Sequence, residues 1–335
     1  RITHLCGFTA QRHEGKITGL AANGNPKNAK NLMKKMIDFD GENIVVFPGE
    51  YYRPWFTNYS ETLLKEVNNY SKEDIAAAAQ DHLEYLVTKL VEKFAKQTGI
   101  KNICVAGGVY GNVKLNQRIK DLDDIDEVYV YPHMGDGGLC TGSIDYYLMT
   151  ERNIKSKPMR NLYLGPKIDP FILAEELKKN KSMVTEPENI NKKVIEILNS
   201  KKAIGLVQGR LEFGPRALGN RSIIGSCRDK NFCDNINIRL GRTEFMPFAP
   251  AIASDLANLC LKNYSEEFTS RHMTITYDVT DEFKKNSPAA VHVDGTVRPQ
   301  IVFEEDNKYF HSLLMDWYQE TGGLCLINTS FNLHE

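Results

Sequence analysis

Apolar residues recur at a helical spacing most clearly in the stretch KEDIAAAAQDHLEYLVTKLVEKFAKQTG, residues 72–99. The positions that repeat every three or four residues are Ala76, Ala79, Leu83, Leu86, Leu90 and Val91. This pattern predicts a long amphipathic helix. Ser71 with Asp74 is a capping signature at its N-terminus, and the preceding stretch SETLLKEVNN predicts a shorter helix.

A different pattern follows, in which an apolar run, a glycine-rich loop and a helical stretch occur twice. NICVAGG predicts a buried strand, and NVKLNQRIKDL predicts the helix after it. EVYVYPH predicts a second strand, followed by the loop MGDGG and the helix LCTGSIDYYLMT. Strands that alternate with helices indicate an α/β architecture with its loops at one sheet edge.

The stretch RNIKSKPMRN, residues 152–161, has the composition of a linker. Beyond it, PFILAEELKKN and NINKKVIEILNS predict helices and AIGLVQG predicts a strand. The remainder alternates the predicted strands MTITYDV, AAVHVDG and LCLINTS with the helices NFCDNINIRLG and KYFHSLLMDWYQETG. A chain of 335 residues accommodates two domains, and we predict them at residues 1–155 and 156–335.

Composition narrows the class of protein. The chain is 41% hydrophobic and 25% charged, with a formal net charge of -1, which is typical of globular proteins and argues against a nucleic-acid-coating or membrane-surface protein. No apolar run approaches the roughly 20 residues that span a bilayer. The seven cysteines show no C-x-x-C spacing, which favours reduced, mostly buried thiols and a cytoplasmic location.

The most chemically suggestive segment is GRLEFGPRALGNRSI, residues 209–223. Its glycines and proline predict turns, and Arg216 and Arg221 stand five positions apart. An arginine guanidinium is always charged and presents a planar fork of donors that matches phosphate oxygens. The segment therefore predicts a site for a phosphorylated small molecule, with a solvated surface loop as the alternative.

Two further turns are candidate sites. In AGGVYGNVKLN, the main chain at Gly107 and Gly108 favours an anion or nucleotide site, and Asn112 and Asn116 could bind ribose or adenine; an ordinary strand-to-helix turn is the alternative. In PHMGDGGLCTG, Asp136 could bind a divalent cation or cap the next helix. His133 lies close by in the sequence, and a structural role is the more common one for a lone histidine.

Taken in order, these motifs resemble those of the O-carbamoyltransferases of nodulation, cephamycin and tobramycin biosynthesis. EGKITGLAANG, AGGVYGNVKLN, MGDGGLCTG, GRLEFGPRALGNRSI, PFAPAI, HVDGTVRPQIV and NTSFN follow the family's order over nearly the whole chain. The resemblance implies an ASKHA-type domain (actin, hexokinase and Hsp70 superfamily), represented by its C-terminal portion in residues 1–155, and a YrdC-like domain in residues 156–335. It also implies an ATP-dependent transfer of the carbamoyl group of carbamoyl phosphate, through carbamoyl-AMP, to a hydroxyl of a sugar or secondary metabolite.

The resemblance also implies roles for individual residues. Arg216 and Arg221 would bind carbamoyl phosphate, and Asp136 would bind a divalent metal of the Fe or Mg class; all three would be catalytic. Further carbamoyl-phosphate contacts would come from Asn328, Ser330 and Arg242. The nucleotide-binding residues would be Gly107, Gly108, Asn112, Asn116, Glu14 and Lys16.

The chain departs from the family pattern in two places. The family's H-x-x-x-H metal-binding pair lies upstream of the EGK motif, so we expect this chain to be a fragment that lacks the pair. Leu240 and Met246 stand where many members have a lysine and an arginine that contact carbamoyl phosphate, and the candidate substitute is Arg239 or Arg242.

Two alternative functions stay open. One is a tRNA threonylcarbamoyladenosine-type transferase, which shares both folds, although the near-neutral charge and the hallmark motif disfavour it. The other is a non-catalytic nucleotide-binding relic. The expected partners are carbamoyl phosphate, ATP and a hydroxylated acceptor, with no nucleic acid and no membrane, and a homodimer is left open. No residue marks the acceptor.

Overall fold

A computed structural model describes the chain except for residues 55, 156–158, 160, 180–183, 240–246 and 333–335. The chain packs as two compact units, of which the first covers Arg1–Val130 and the second begins at Tyr131. Both units mix helices and strands, which confirms the predicted α/β class. The packing divides at Val130, whereas the domain boundary predicted after residue 155 stays a prediction.

The first unit is mainly helical. Its helices are α1 (Ile2–Leu5), α2 (Glu14–Ala21), α3 (Pro26–Lys34), α4 (Glu61–Val67), α5 (Lys72–Thr98) and α6 (Val113–Lys120). Its strands are β1 (Ile37–Phe39), β2 (Ile44–Val46), β3 (Asn102–Val105) and β4 (Glu127–Val130). β1 pairs with β2 antiparallel, and β3 pairs with β4 in parallel.

The long helix α5 organises this unit, as its periodicity predicts. Ser71 caps it by accepting a hydrogen bond from the Asp74 N–H at 3.0 Å, and Gly99 ends it in a left-handed conformation. α2, α3 and α6 pack on α5. Gly24, in the EGK motif, lies so close to the main chain of Glu73 that a Cβ would collide with it, so this contact requires glycine.

The second unit is built around one sheet. Its helices are α7 (Leu139–Glu151), α8 (Pro170–Lys179), α9 (Ile190–Asn199), α10 (Lys230–Arg239), α11 (Ala257–Cys260), α12 (Asp281–Asn286) and α13 (Lys308–Thr321). Its strands are β5 (Ile204–Val207), β6 (Arg221–Ser226), β7 (Ala249–Ala253), β8 (Tyr277–Asp278), β9 (Thr296–Val297), β10 (Gln300–Val302) and β11 (Leu326–Ser330).

The five-stranded sheet has the order β10-β7-β11-β6-β5. Only β10 and β7 pair in parallel; the other pairs are antiparallel. The core on this sheet contains Trp317 and Phe310 from α13, together with Phe248 and Phe283. Within the described part of the chain, no helix combines the length and apolar character that crossing a membrane would require.

Most predicted elements are confirmed, but two strand predictions are wrong. MTITYDV forms a strand only at Tyr277–Asp278, because Met273 is left-handed (φ 57°) and the Thr274 hydroxyl donates to the Thr269 carbonyl at 2.9 Å. AAVHVDG is mainly a turn, in which Asp294 accepts from the Thr296 N–H at 3.0 Å. The strand β9 begins only after that turn. β6, β7 and β10 carry no pattern that predicts them.

Candidate functional site

The segment that contains Arg216 and Arg221 forms a closed loop of the second unit, named here the arginine loop (residues 208–221). β5 ends at Val207 and β6 begins at Arg221, and these two residues are directly paired. The loop therefore leaves the sheet and returns at the same point. Gly219 has φ 99°, and a Cβ there would collide with the Phe310 ring of α13, so the return path requires glycine.

The Glu212 carboxylate holds the returning half of the loop. Its Oε1 accepts hydrogen bonds from the main-chain N–H groups of Leu218 at 2.9 Å, Asn220 at 2.8 Å and Arg221 at 3.1 Å. The Gly219 N–H donates instead to the Ser222 hydroxyl at 2.9 Å. The sequence analysis assigned Glu212 no role. Glu212 is the only carboxylate in residues 209–223, and a single acidic residue within an arginine-containing segment is the feature that could have drawn attention to it.

A network of buried amide side chains supports the same turn from α13. Asn307 Nδ2 donates to Asn220 Oδ1 at 3.0 Å and to the Tyr163 hydroxyl at 3.2 Å. The Tyr163 hydroxyl in turn donates to the Leu218 carbonyl at 2.8 Å, and burial raises the pKa of this phenol. Gln208 Nε2 donates to the Gly219 carbonyl at 2.8 Å. The main chain of the loop is therefore positioned by partners distant in sequence.

Asn328, a predicted contact of carbamoyl phosphate, belongs to this scaffold. It lies on β11 with only 2% of its surface exposed. Its Nδ2 donates to the Ala217 carbonyl at 3.0 Å and to Gln300 Oε1 at 2.8 Å, while Gln300 Nε2 donates to the Leu218 carbonyl at 2.9 Å. Asn328 thus contacts the residue that follows Arg216.

The two arginines differ in how they are held. The Arg221 Nη1 donates to the main-chain carbonyls of Gln208 at 2.6 Å and Asn220 at 2.8 Å, which fixes the guanidinium against the loop. Arg216 is half-buried, with its Nε shielded from solvent. Ser330 is half-buried and pairs with Ser222 across β11 and β6, so it lies next to Arg221. Arg242, with Leu240 and Met246, lies outside the described residues.

A charged and titratable cluster lies in a small pocket that Leu218 also lines. Arg271 donates to Asp306 at 2.8 Å and stacks 3.7 Å from the Phe303 ring centroid. Burial raises the pKa of the Asp306 carboxyl despite this pairing. The neighbouring His272 ring is buried, which lowers its pKa to about 4. Arg271, His272, Asp306, Leu218 and Gln300 together line a small pocket.

Asp136 and His133 also lie in the second unit. The His133 ring meets the Phe213 ring of the arginine loop edge to face, 5.1 Å between centroids. Asp136 is exposed at the start of the short turn Asp136–Gly138, and the residue at the cap position of that turn is Gly135. Among the described residues, no group of three or more His, Cys, Asp and Glu side chains gathers as a metal site. The described part of the chain therefore does not by itself provide a ligand set for a metal at Asp136.

The predicted nucleotide-binding residues lie in the first unit. The segment after β3, residues 106–112, is named here the glycine turn. Gly107 and Gly108 are exposed, and a Cβ at either would meet no described atom within 4 Å. Asn112 caps α6 by accepting a hydrogen bond from the Leu115 N–H at 3.1 Å. The side-chain amides of Asn112 and Gln80 each donate a hydrogen bond to the other. Asn116 is fully buried and donates to the Tyr110 carbonyl at 2.7 Å.

Glu14 and Lys16 are placed at the start of α2. Glu14 Oε1 accepts from the Gln11 N–H at 2.6 Å, and Lys16 is buried, with 7% of its surface exposed. Both α2 and α6 pack on α5, so the two halves of the predicted nucleotide site share one supporting helix. The nucleotide role of these residues stays a prediction.

All seven cysteines are free thiols. Cys6, Cys227, Cys233, Cys260 and Cys325 are buried, whereas Cys104 and Cys140 are exposed. Burial raises the pKa of Cys6 to about 11 and that of Cys233 to about 12, so these two thiols are protonated at neutral pH. Their environment is that of core residues, as the sequence predicted.

Comparison with known proteins assigns the chain to a family. The family model described as "Carbamoyltransferase N-terminus" matches residues 1–144, and "Carbamoyltransferase C-terminus" matches residues 195–335. Nodulation protein NolNO of Sinorhizobium fredii is 30% identical over 95% of this chain and 48% of its own length. Nodulation protein U of Rhizobium tropici is 29% identical over 78% of this chain and 44% of its own length.

An uncharacterised protein of Methanocaldococcus jannaschii is 33% identical over 99% of this chain and 56% of its own length. The chain thus spans about half the length of these relatives. The two family models together match parts of both compact units, and their ranges include the glycine turn and the arginine loop. The chain therefore belongs to the carbamoyltransferase family.

Proposed function

We propose that this chain takes part in ATP-dependent O-carbamoyl transfer, with carbamoyl phosphate bound at the arginine loop. The observation that carries the proposal is the anchoring of Arg221 by two main-chain carbonyls, on the loop that also carries Arg216. A phosphate group bears about two negative charges, and preorganised guanidinium groups stabilise such charge without reorganising during the reaction.

The proposed chemistry divides into three steps. Water cleaves carbamoyl phosphate to carbamate and phosphate. A carbamate oxygen then attacks the α-phosphorus of ATP, pyrophosphate leaves, and carbamoyl-AMP forms. Finally the acceptor hydroxyl attacks the carbonyl carbon, AMP leaves with the bonding electrons, and the hydroxyl proton passes to solvent.

In this proposal Arg216 and Arg221 neutralise the phosphate and the attacking carbamate, with Asn328 and Ser330 as neighbouring polar groups. The glycine turn would bind the nucleotide through its exposed main chain. The corresponding fold proposal is an ASKHA-type first domain and a YrdC-like second domain, which the family membership supports. The Arg242 contact and a sugar or secondary-metabolite acceptor belong to the proposal as well. So does a divalent metal at Asp136, whose other protein ligands would have to come from outside the described residues.

The test is exchange of labelled pyrophosphate into ATP by the full chain with carbamoyl phosphate. Arg216→Ala should lower the exchange rate by about 100-fold or more, because it removes a charged hydrogen-bonding group. Arg221→Ala should be equally severe, but it also frees the Gln208 and Asn220 carbonyls, so Arg216 is the decisive position. The matched control is Arg152→Ala, which removes an exposed arginine that stacks on Tyr147.

Wild-type exchange that Arg216→Ala leaves intact would reject the role of the arginine loop. Exchange with threonine and bicarbonate, and none with carbamoyl phosphate, would instead support a threonylcarbamoyladenosine-type transferase.

A further inference from the structure

The returning half of the arginine loop has the geometry of an anion-binding nest. Three main-chain N–H groups, of Leu218, Asn220 and Arg221, converge on one point. The left-handed Gly219 between them turns the chain so that this is possible. Concavities of this kind bind phosphates and other anions in many proteins. Here the point of convergence is occupied by Oε1 of Glu212.

We infer that Glu212 is an internal anion that fills this nest and thereby holds Arg216 and Arg221 in place for the ligand phosphate. This inference rests on the proposed function. Glu212 is a positioning residue, because its described contacts are with the loop main chain and it acts through the two arginines. With the nest filled, its three N–H groups are taken up by Glu212, and the phosphate would be met by the guanidinium groups of Arg216 and Arg221.

The loop's own contacts support this division of roles. The main-chain N–H of Arg221 donates to the Glu212 carboxylate, and its Nη1 donates to the carbonyls of Gln208 and Asn220. Both the main chain and the guanidinium group of Arg221 are therefore held in place. The carbonyls of Ala217 and Leu218 accept hydrogen bonds from Asn328, Gln300 and Tyr163. Without Glu212, three N–H donors would lose their acceptor and the segment between Arg216 and Arg221 would lose its brace on one side.

A competing arrangement makes the opposite prediction. If the ligand phosphate itself occupied the nest, it would have to displace the Glu212 carboxylate. Removing the carboxylate would then strengthen binding, because a resident competitor and its negative charge would both be gone.

The experiment compares Glu212→Ala and Glu212→Gln in the full chain, by KM for carbamoyl phosphate in the pyrophosphate-exchange assay. Glu212→Ala should raise KM by about tenfold or more, since the loss of a charge-accepting hydrogen-bond partner is of that order. Glu212→Gln retains an oxygen acceptor and should stay within about threefold of wild type. Added acetate should partly restore the Ala variant by occupying the empty nest.

The control variant is Glu266→Ala, which makes the same charge change in the same unit. Glu266 pairs with Arg271, which keeps Glu305 and Asp306 as partners, so KM should not change. An unchanged or lower KM in Glu212→Ala would overturn the inference, and so would a KM of Glu212→Gln that is tenfold or more above or below that of wild type.

Amide hydrogen exchange provides a readout that does not depend on activity. The N–H groups of Leu218, Asn220 and Arg221 should exchange slowly in wild type and Glu212→Gln and fast in Glu212→Ala. If wild type shows no carbamoyl-phosphate reaction, the proposed function fails, and this protection pattern still decides whether Glu212 fills the nest. If Glu212→Ala does not fold, Glu212→Gln alone decides, because a tenfold change in its KM in either direction contradicts the inference.

Discussion

The glycine turn after β3 and the arginine loop after β5 are both glycine-rich connections that follow a strand, yet the chain holds them differently. At Gly107, Gly108 and Gly111 of the turn, a Cβ would meet no described atom within 4 Å. At Gly219 of the loop, a Cβ would collide with Phe310. The turn is exposed at residues 106–109 and is held by Asn112 and Asn116. The loop is hydrogen-bonded to side chains of β10 and β11 and to the residue that caps α13.

This difference shows how the binding groups of each site are positioned before a ligand binds. A loop braced by buried hydrogen bonds is preorganised, so little conformational entropy is lost when a ligand binds. An open turn offers main-chain N–H groups that can adjust to a nucleotide, at a larger entropic cost. Precision at the arginine loop is therefore a tertiary property, while the glycine turn is held mainly by nearby residues, with Gln80 of α5 as a partner from elsewhere in the chain.

The substitution with the largest expected effect is Gly219→Ala compared with Gly111→Ala. Gly219→Ala should lower the free energy of unfolding by about 3 kcal/mol, because it combines left-handed strain with overpacking against Phe310. Gly111→Ala has no such neighbour and should change that free energy by less than about 1 kcal/mol. Urea unfolding of the two variants measures both. Equal losses would show that the loop is no more tightly packed than the turn.

Acid should lower the free energy of unfolding through His272, which lines a pocket together with Leu218 of the arginine loop. Burial lowers the pKa of His272 from 6.5 to about 4, so between these pH values the unfolded chain takes up a proton that the folded chain excludes. The contribution of the neutral His272 to the free energy of unfolding is therefore fully present above pH 6.5 and is lost as the pH drops towards 4. At pH 5 the loss is about 2 kcal/mol.

His272→Gln should reduce the loss of unfolding free energy between pH 7 and pH 5 by about this amount, measured by urea unfolding at both pH values. A His272 ring that titrates in the folded protein with a midpoint near 6.5, observed by NMR, would contradict this prediction.

A smaller effect should separate the two helix-capping asparagines, Asn307 of the loop scaffold and Asn112 of the glycine turn. Each caps a helix, through the Phe310 N–H at 3.1 Å and the Leu115 N–H at 3.1 Å respectively. Loss of a cap costs about 1 kcal/mol. Asn307→Ala should cost about 2 kcal/mol, since it also leaves buried Asn220 without a donor.

Asn112→Ala should stay near the cost of the cap alone, because its second partner, Gln80, is only half-buried and can turn to water. Thermal or urea unfolding of the pair measures the difference. A larger loss for Asn112→Ala would reverse the comparison between the turn and the loop.

Local sequence predicted the parts of the fold that depend on local rules. The spacing of Ala76, Leu83 and Leu90 predicted α5, and the Ser71 cap follows from its own side chain. The same reasoning failed at MTITYDV, where a left-handed Met273 and a bond from Thr274 to Thr269 compete with an extended strand. It also missed β6, β7 and β10, whose positions depend on neighbouring strands.

The sequence by itself therefore determined the α/β class, the main helices and the motifs that assign the chain to its family. Only the tertiary structure decided how the arginine loop is held, because its partners Gln300, Asn307 and Asn328 lie 82, 87 and 111 residues from the groups they contact. Periodicity and turn preferences describe neighbours along the chain. A carboxylate such as Glu212 acquires its role only when the loop closes and brings three N–H groups to it.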